Sequence, residues 1–244
     1  REPNLDIYLF ENEDHLGGIP RSAHVFFGMR DLKRACSGKA YARRLETLLR
    51  RTSVISRTNS TVIEIRTGSP GQKHCLTVSS PDGLATYECR HVLLAMGCFE
   101  ASRGGRLIPG TRPAGVMTTG TLQKIVNLEH QSPGRQAVIV GSGPVAFSTA
   151  LTLRKAGVKI AALFEPDEAL HTYGFVANAL SYVLGFKILQ NCKVGCIYGR
   201  DRVEGVKLSS SHGAEEKIVP CDTLVVTGEF RPEATLLCES GIEL

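Results

Sequence analysis

The sequence predicts an α/β fold built from two similar three-layer units, with the second unit inserted into the first. Two observations lead to this prediction. The second half of the chain contains a strand, a glycine turn, a helix and another strand in succession, and the first half repeats the later elements of the same order. With 244 residues, 42% of them hydrophobic, the chain is long enough to build two such cores.

Composition and charge exclude several classes of function. The 29 Lys and Arg residues exceed the 24 Asp and Glu residues by only five, and no basic run is longer than three residues, so we expect no nucleic-acid partner. No stretch approaches the 18 apolar residues of a membrane span, and the N-terminus does not read as a signal peptide. We therefore expect a cytoplasmic protein without a membrane span.

The cysteine pattern predicts free thiols. The eight cysteines are scattered, with no CxxC pair, and the CxxxC of Cys192 and Cys196 has no second pair or nearby His to complete a zinc site. We expect reduced, mostly buried thiols and no metal site.

The glycine motif after the strand Gln136–Val140 is the most informative stretch. It opens a helix that stops at Gly157, and the next strand, Lys159–Phe164, ends on Glu165, 22 residues after Gly143. Strand, GxGxxA, helix, strand and acid in this order are typical of a Rossmann-like dinucleotide-binding unit. The glycines let the backbone approach a pyrophosphate, and the helix N-terminus attracts its negative charge. The residues of the motif are Gly141, Ser142, Gly143, Pro144, Val145 and Ala146.

The remaining elements of the second half recur in the first 100 residues. After Glu165 we predict a helix at 169–184, strands at 186–189, 194–198, 203–208, 216–219 and 223–226, and a turn at Thr227-Gly228. In the first half a strand at 5–10 ends on Glu11, and a helix at 39–51 and strands at 54–55, 61–65, 76–80, 84–88 and 91–95 follow. This order indicates an internal duplication. By comparison with 136–158, the first unit is incomplete by about 25 residues, one strand–turn–helix.

Further motifs carry a resemblance to a known family. They are Glu11 with 16–21 (LGGIPR), 27–30 (FGMR), 38–43 (GKAYAR), 93–98 (LLAMGC), 109–110 (PG), 112–123 (RPAGVMTTGTLQ), 141–146 (GSGPVA) and 225–232 (VVTGEFRP). Over essentially its whole length the chain resembles the FAD- and NAD(P)-dependent pyridine nucleotide-disulfide oxidoreductase superfamily. It is most similar to members without a disulfide, such as the flavoprotein subunits of hydrogen cyanide synthase, opine dehydrogenase and proline dehydrogenase complexes and sarcosine oxidase alpha-like proteins.

The resemblance implies which residues bind which cofactor. Residues 1–114 would form a partial FAD-binding domain, 115–228 an NAD(P)-binding domain, and 229–244 the start of the return to the FAD domain. Glu11 would hold the adenosine ribose, Gly17 and Gly18 would open the next loop, Val62 or Ile63 would lie near the adenine, and Gly97 would approach the flavin. The second domain would use Gly141–Ala146, Glu165 and Gly228.

The acid Glu165 favours NAD over NADP. A carboxylate at the end of the second strand accepts the ribose hydroxyls of NAD and repels the 2′-phosphate of NADP. Pro166 and Asp167 follow it, so no adjacent basic residue receives a phosphate. The alternative is that this domain binds no nicotinamide and that electrons leave through another subunit.

The function implied is that of an FAD-dependent oxidoreductase, or of the flavoprotein subunit of an amine or amino-acid dehydrogenase. It would exchange electrons between FAD and a nicotinamide cofactor or a small organic substrate, together with partner oxidoreductase subunits. No side chain stands out as a catalytic acid, base or nucleophile. Met96 and Phe99 depart from the family pattern, and with the incomplete first unit they favour the alternative, a non-catalytic or degenerate nucleotide-binding subunit.

Structural roles compete with functional ones at several positions. Glu11 and Glu165 could be solvated acids at strand ends. We expect a structural role for His24, a surface position for His171 and Tyr173, and a packed thiol at Cys98.

The cysteine pattern also makes a testable prediction. Because no CxxC is present, electrons do not pass through a redox-active disulfide of the usual kind. Replacing Cys98, Cys192 and Cys196 together by Ser or Ala should leave flavin reduction within about threefold of normal. Stopped-flow absorbance of the folded, flavin-loaded protein measures this rate. Loss of reduction in a folded triple variant would contradict the prediction.

Overall fold

The computed structural model describes residues 5–69, 71–210 and 217–241. They fall into two compact units, the first within residues 1–21, 27–98 and 232–244, and the second within residues 22–26 and 99–231. The predicted functional boundaries, 1–114, 115–228 and 229–244, stay a prediction, because compactness does not show what each unit binds. Nowhere in the described parts is there a helix of the length and apolarity that a bilayer span requires.

Up to residue 127 the described residues contain two helices and nine strands, of which one helix and five strands were predicted from the sequence. The elements are β1 (Tyr8–Phe10), a 3₁₀ turn (Ile19–Arg21), β2 (Phe26–Phe27), β3 (Cys36–Ser37), α1 (Gly38–Leu49), β4 (Ile55–Arg57), β5 (Thr61–Arg66), β6 (His74–Ser80), β7 (Gly83–Cys89), β8 (Cys98–Glu100), β9 (Val116–Thr118) and α2 (Thr119–Asn127).

The remainder of the chain contains the glycine motif. Its elements are β10 (Gln136–Val140), α3 (Pro144–Lys155), β11 (Lys159–Phe164), α4 (Gly174–Leu184), β12 (Lys187–Leu189), β13 (Cys192–Tyr198), β14 (Gly205–Ser210), β15 (Ile218–Pro220), β16 (Thr223–Val226), β17 (Phe230–Pro232) and α5 (Thr235–Glu239). The first residue of the strand predicted at 216–219 lies outside the described residues.

The second unit has the three layers that the sequence predicts. Its central sheet is parallel, in the order β12-β11-β10-β16-β9. Alternate residues of β10 face opposite layers: Ala137 and Ile139 pack with α2, α3 and α4, while Val138 and Val140 pack with the antiparallel sheet β13-β14-β15. Both faces of the central strands are therefore buried, which explains their continuous apolar sequences.

The first unit combines a parallel pair with an antiparallel sheet. β1 pairs with β4 in parallel, and β5, β6 and β7 form the antiparallel sheet. Its core is small, centred on Ile65, Leu76 and Val78, with the ring of Phe10 packed edge-on against Tyr87.

One predicted element is wrong, and another begins later than predicted. No strand forms at 91–95, and Leu93 is 92% exposed. A strand exists only where another backbone supplies its hydrogen bonds, and within the described residues no segment pairs with this one. The helix predicted at 169–184 begins only at Gly174; before it, the N–H of His171 donates to Oγ of Ser142 rather than to a helical carbonyl.

The core of the second unit supports a matched prediction on α3. Leu153 is fully buried and Leu151, on the same helix, is 40% exposed. Leu153→Ala should lower the free energy of unfolding by about 2–5 kcal/mol because it leaves a cavity, and Leu151→Ala by less than about 1 kcal/mol. Urea unfolding followed by circular dichroism measures both values. Equal losses would contradict the described packing.

Candidate functional site

The first glycine of the motif is required by close packing of two strand ends. Gly141 follows β10 with φ +101°, and a Cβ placed there would lie 2.7 Å from Oγ1 of Thr227 and 3.0 Å from its carbonyl oxygen. Only glycine fits a position with this backbone conformation and this little space. The chain can therefore turn sharply at the carboxyl end of the sheet.

The second glycine lies beside open space at the start of α3. A Cβ on Gly143 would meet no atom within 4 Å, so the fold itself does not require glycine there. Pro144 begins the helix, and no side chain caps its N-terminus. The first turn of a helix presents free N–H groups and partial positive charge, which suit an anion such as a pyrophosphate.

The acid Glu165 ends β11 with one oxygen unsatisfied. Its side chain is 2% exposed, and Oε1 accepts a hydrogen bond from the N–H of Asp167 at 3.1 Å. Among the described residues, Oε2 is buried without a hydrogen-bond partner. A buried carboxylate oxygen without a donor is costly, so this atom indicates a site for a hydroxyl donor.

The corresponding acid of the first unit has the same side-chain bond. Oε1 of Glu11 accepts from the N–H of Glu13 at 3.0 Å, as Glu165 accepts from Asp167. Each acid also donates its own N–H across the parallel pair, Glu11 to Arg57 and Glu165 to Leu189, both at 2.9 Å.

The turn that returns to each acid is duplicated as well. The N–H of Asn59 donates to the carbonyl of Glu13, and that of Asn191 to the carbonyl of Asp167. Both asparagines have a left-handed backbone conformation, with φ 50° and 54°. These matching bonds are what an internal duplication predicts for the two strand-end acids.

Two largely buried charged side chains, Glu100 and Arg106, bond to the backbone of Gly228, which follows β16. Glu100 accepts from the N–H of Gly228 at 3.0 Å and from the N–H of Gly120, at the start of α2, at 2.9 Å. Arg106 donates to the carbonyls of Thr227 and Gly228 at 2.8 and 2.6 Å. Sequence reasoning found Gly228 but missed Glu100 and Arg106, because each bonds to the backbone of a segment distant in sequence and carries no local signal.

His171 lies beside the site acid, although the sequence indicated only a surface position. Its Nε2 is 2.7 Å from Oδ2 of Asp167 and 3.7 Å from Oε1 of Glu165, and its N–H donates to Oγ of Ser142 at 2.9 Å. The hydrogen bond to Asp167, followed by the charge of Glu165, raises the pKa of His171 above its usual value. The side chain is more than half exposed, so this position is both on the surface and at the site.

The structure does not gather all the predicted residues of the first unit. Gly17 lies against α1, since its Cβ would be 3.0 Å from Cβ of Ala42, and the carbonyl of Gly97 accepts from Glu233. Ile63 is exposed on β5, whereas Val62 packs into the core. Within the described residues, no hydrogen bond joins these positions or Gly18 to Glu11.

His24 and Cys98, which the sequence analysis also considered, have no described bond to Glu165 or to the glycine loop. His24 has Nδ1 2.8 Å from Oγ1 of Thr152 on α3, a packing contact. All eight cysteines are free, as expected, but Cys98 is exposed and only Cys221 is buried, so the expectations of a packed thiol at Cys98 and of mostly buried thiols are wrong.

The fold and the site define a dinucleotide-binding α/β protein of the Rossmann-like type, with a glycine loop and a strand-end acid at the carboxyl edge of a parallel sheet. The family model for pyridine nucleotide-disulphide oxidoreductases matches residues 1–244. The chain belongs to this family.

Curated relatives include parts of multi-component systems. The chain is 32% identical over 162 residues to hydrogen cyanide synthase subunit HcnB of Pseudomonas aeruginosa, covering 64% of this chain and 32% of that protein. It is 28% identical over 174 residues to the ferredoxin reductase component of a chlorobenzene dioxygenase from Cupriavidus sp., covering 68% of this chain and 41% of that protein. The matched regions thus span less than half the length of either relative.

Solved structures share the fold. Thioredoxin reductase of T. acidophilum matches with TM-score 0.77 and 18% identity over 98% of this chain and 74% of that one. L-proline dehydrogenase of P. horikoshii matches with TM-score 0.66 and 16% identity over 98% of this chain and 40% of that one. At these identities the likeness concerns the fold alone.

The two glycines of the loop should respond differently to alanine. Gly141→Ala should lower the free energy of unfolding by about 2–4 kcal/mol, because it adds backbone strain and a clash with Thr227. Gly143→Ala, with φ −67°, should change it by less than about 1 kcal/mol. Chemical denaturation compares the two variants, and an equal loss in both would contradict the geometry of the loop.

Proposed function

We propose that this chain belongs to an FAD-dependent oxidoreductase that exchanges electrons between FAD and NAD, and through them with a small organic substrate. One observation carries the proposal for NAD. The Glu165 carboxylate is buried at the end of β11, and its Oε2 has no hydrogen-bond partner among the described residues. The ribose hydroxyls of NAD supply the donors that this oxygen needs.

The chain's own residues would bind and orient NAD along the carboxyl edge of the sheet. The N-terminus of α3, with Gly141, Ser142, Gly143, Pro144, Val145 and Ala146, would hold the pyrophosphate. Glu165 would accept from the ribose. Glu100 and Arg106 fix both backbone groups of Gly228, so this strand end would present a rigid surface to the remaining part of the cofactor.

The duplicated bonds of Glu11 support the proposal for FAD. Its carboxylate, held by the N–H of Glu13, has the same orientation relative to its strand as Glu165, and we assign it the adenosine ribose of FAD. Gly17, Gly18, Ile63 and Gly97 are the further FAD-binding residues that we propose. When bound, the two cofactors supply the hydride chemistry, and the protein supplies binding and orientation.

The curated relatives support a proposal for the partners of this protein. HcnB is a subunit of a synthase, and the Cupriavidus protein is a component of a dioxygenase system. We propose that the present protein also works with partner oxidoreductase subunits in the cytoplasm, on an amine or amino-acid type of substrate.

The experiment that tests the nicotinamide site uses Glu165→Gln. The wild type should bind NADH more tightly than NADPH by roughly 1–3 kcal/mol, because the carboxylate accepts hydroxyls and repels a phosphate. Glu165→Gln removes the charge and should reduce this preference. Titration of each nucleotide by isothermal calorimetry measures both affinities.

The matched control is Glu11→Gln, which changes the corresponding acid of the first unit. It should leave the ratio of NADH to NADPH affinity unchanged. Tighter NADPH binding by the wild type, or an unaltered ratio in Glu165→Gln, would remove Glu165 from this role. Absence of binding to both nucleotides would favour the alternative in which this domain binds no nicotinamide and electrons leave through another subunit.

A further inference from the structure

The segment between β11 and α4 lies over the glycine loop and returns to the site acid. Its Asp167 donates a backbone N–H to Glu165, and its His171 donates a backbone N–H to Ser142, the second residue of the motif. The His171 ring is thereby held at the side of Glu165, with Nε2 3.7 Å from Oε1. A ring at this position adjoins the atoms that would meet a nucleotide ribose.

The charges around His171 come from two carboxylates. Asp167 lies on its own segment and Glu165 on β11, while the glycine loop packed against it, 141–144, contributes no charged side chain. Among the described ion pairs, His171 is the one cationic partner of Glu165. The net charge beside the ribose position therefore depends on the proton of this imidazole.

We propose that His171 makes the choice between NAD and NADP depend on pH. The protonated ring provides a cation for the 2′-phosphate of NADP. The neutral ring leaves Glu165 free to accept from the ribose hydroxyls of NAD. This inference rests on the proposed nicotinamide site. Protonated His171 places a positive charge 3.7 Å from Oε1 of Glu165, which partly neutralises the carboxylate and weakens its attraction for a ribose hydroxyl at Oε2. A 2′-phosphate instead gains a charge-assisted hydrogen bond from the imidazolium.

The direction of the pH effect follows from the same contacts. The hydrogen bond to Asp167 and the charge of Glu165 raise the pKa of His171 above its ordinary value of 6.5, so the ring loses its proton at a pH above that value. Lowering the pH through this range should weaken NADH binding and strengthen NADPH binding. The two nucleotides should thus show opposite pH dependence.

The experiment compares the wild type with His171→Asn in the full chain. Binding of NADH and of NADPH is measured by calorimetry at about pH 9 and about pH 6.5, above and near the ordinary pKa of His. In the wild type, the ratio of NADPH to NADH affinity should rise by about threefold to tenfold on going to the lower pH.

The variants separate His171 from other titrating groups. The 2′-phosphate has a second pKa near 6, but it titrates equally in His171→Asn, where the ratio should change by less than about twofold. His130→Asn, an exposed histidine after α2, should behave like the wild type. A constant ratio in the wild type, or the same change in His171→Asn, would overturn the role of His171 while leaving the nucleotide site in place. Failure of both nucleotides to bind at either pH would overturn the nicotinamide site and this inference with it.

Discussion

The close approach of two neighbouring strand ends, β10 and β16, is the constraint on which the rest of the second unit depends. Thr227 donates both its backbone N–H, at 2.9 Å, and its hydroxyl, at 2.8 Å, to the carbonyl of Val140. These bonds leave no room for a side chain at Gly141. The chain therefore turns at once into α3, and the N-terminus of the helix is brought to the carboxyl edge of the sheet. Without this contact there would be no fixed position for an anion.

The acids of the two units show how a short backbone network determines a side-chain position. Each acid is bonded to the neighbouring parallel strand. The carbonyl two residues after each acid accepts from an asparagine in the left-handed region, which lies 48 residues after the acid in the first unit and 26 in the second. The connecting segments differ in length and structure, yet the bonds at the acid are the same. A duplicated site can therefore be retained while the rest of the two units diverges, because only the strand ends must keep their geometry.

Local sequence was sufficient where the structure depends on local rules. The strands Gln136–Val140, Lys159–Phe164 and Thr223–Val226 were predicted with their observed bounds, since strands covered on both faces are continuously apolar and end at glycine, acid or turn. The segment 91–95 has the same apolar pattern, but whether it forms a strand depends on a partner strand distant in sequence. Similarly, the glycine motif can be recognised from its spacing, whereas Glu100, Arg106 and His171 become part of the site only through contacts between distant segments.

A buried carboxylate with one unsatisfied oxygen affects both the stability of the free protein and the free energy of binding. Leaving Oε2 of Glu165 without a donor lowers the stability of the free protein, because the charge has lost water without gaining a full set of partners. The surrounding fold, with its fully buried strands, tolerates this cost. A ligand that donates a hydroxyl removes it, so part of the binding free energy comes from relieving a defect already present in the protein. A solvated acid at the protein surface offers no such gain, since water already satisfies its oxygens. Burial therefore distinguishes a recognition residue from an ordinary strand-end acid, which the sequence alone could not do.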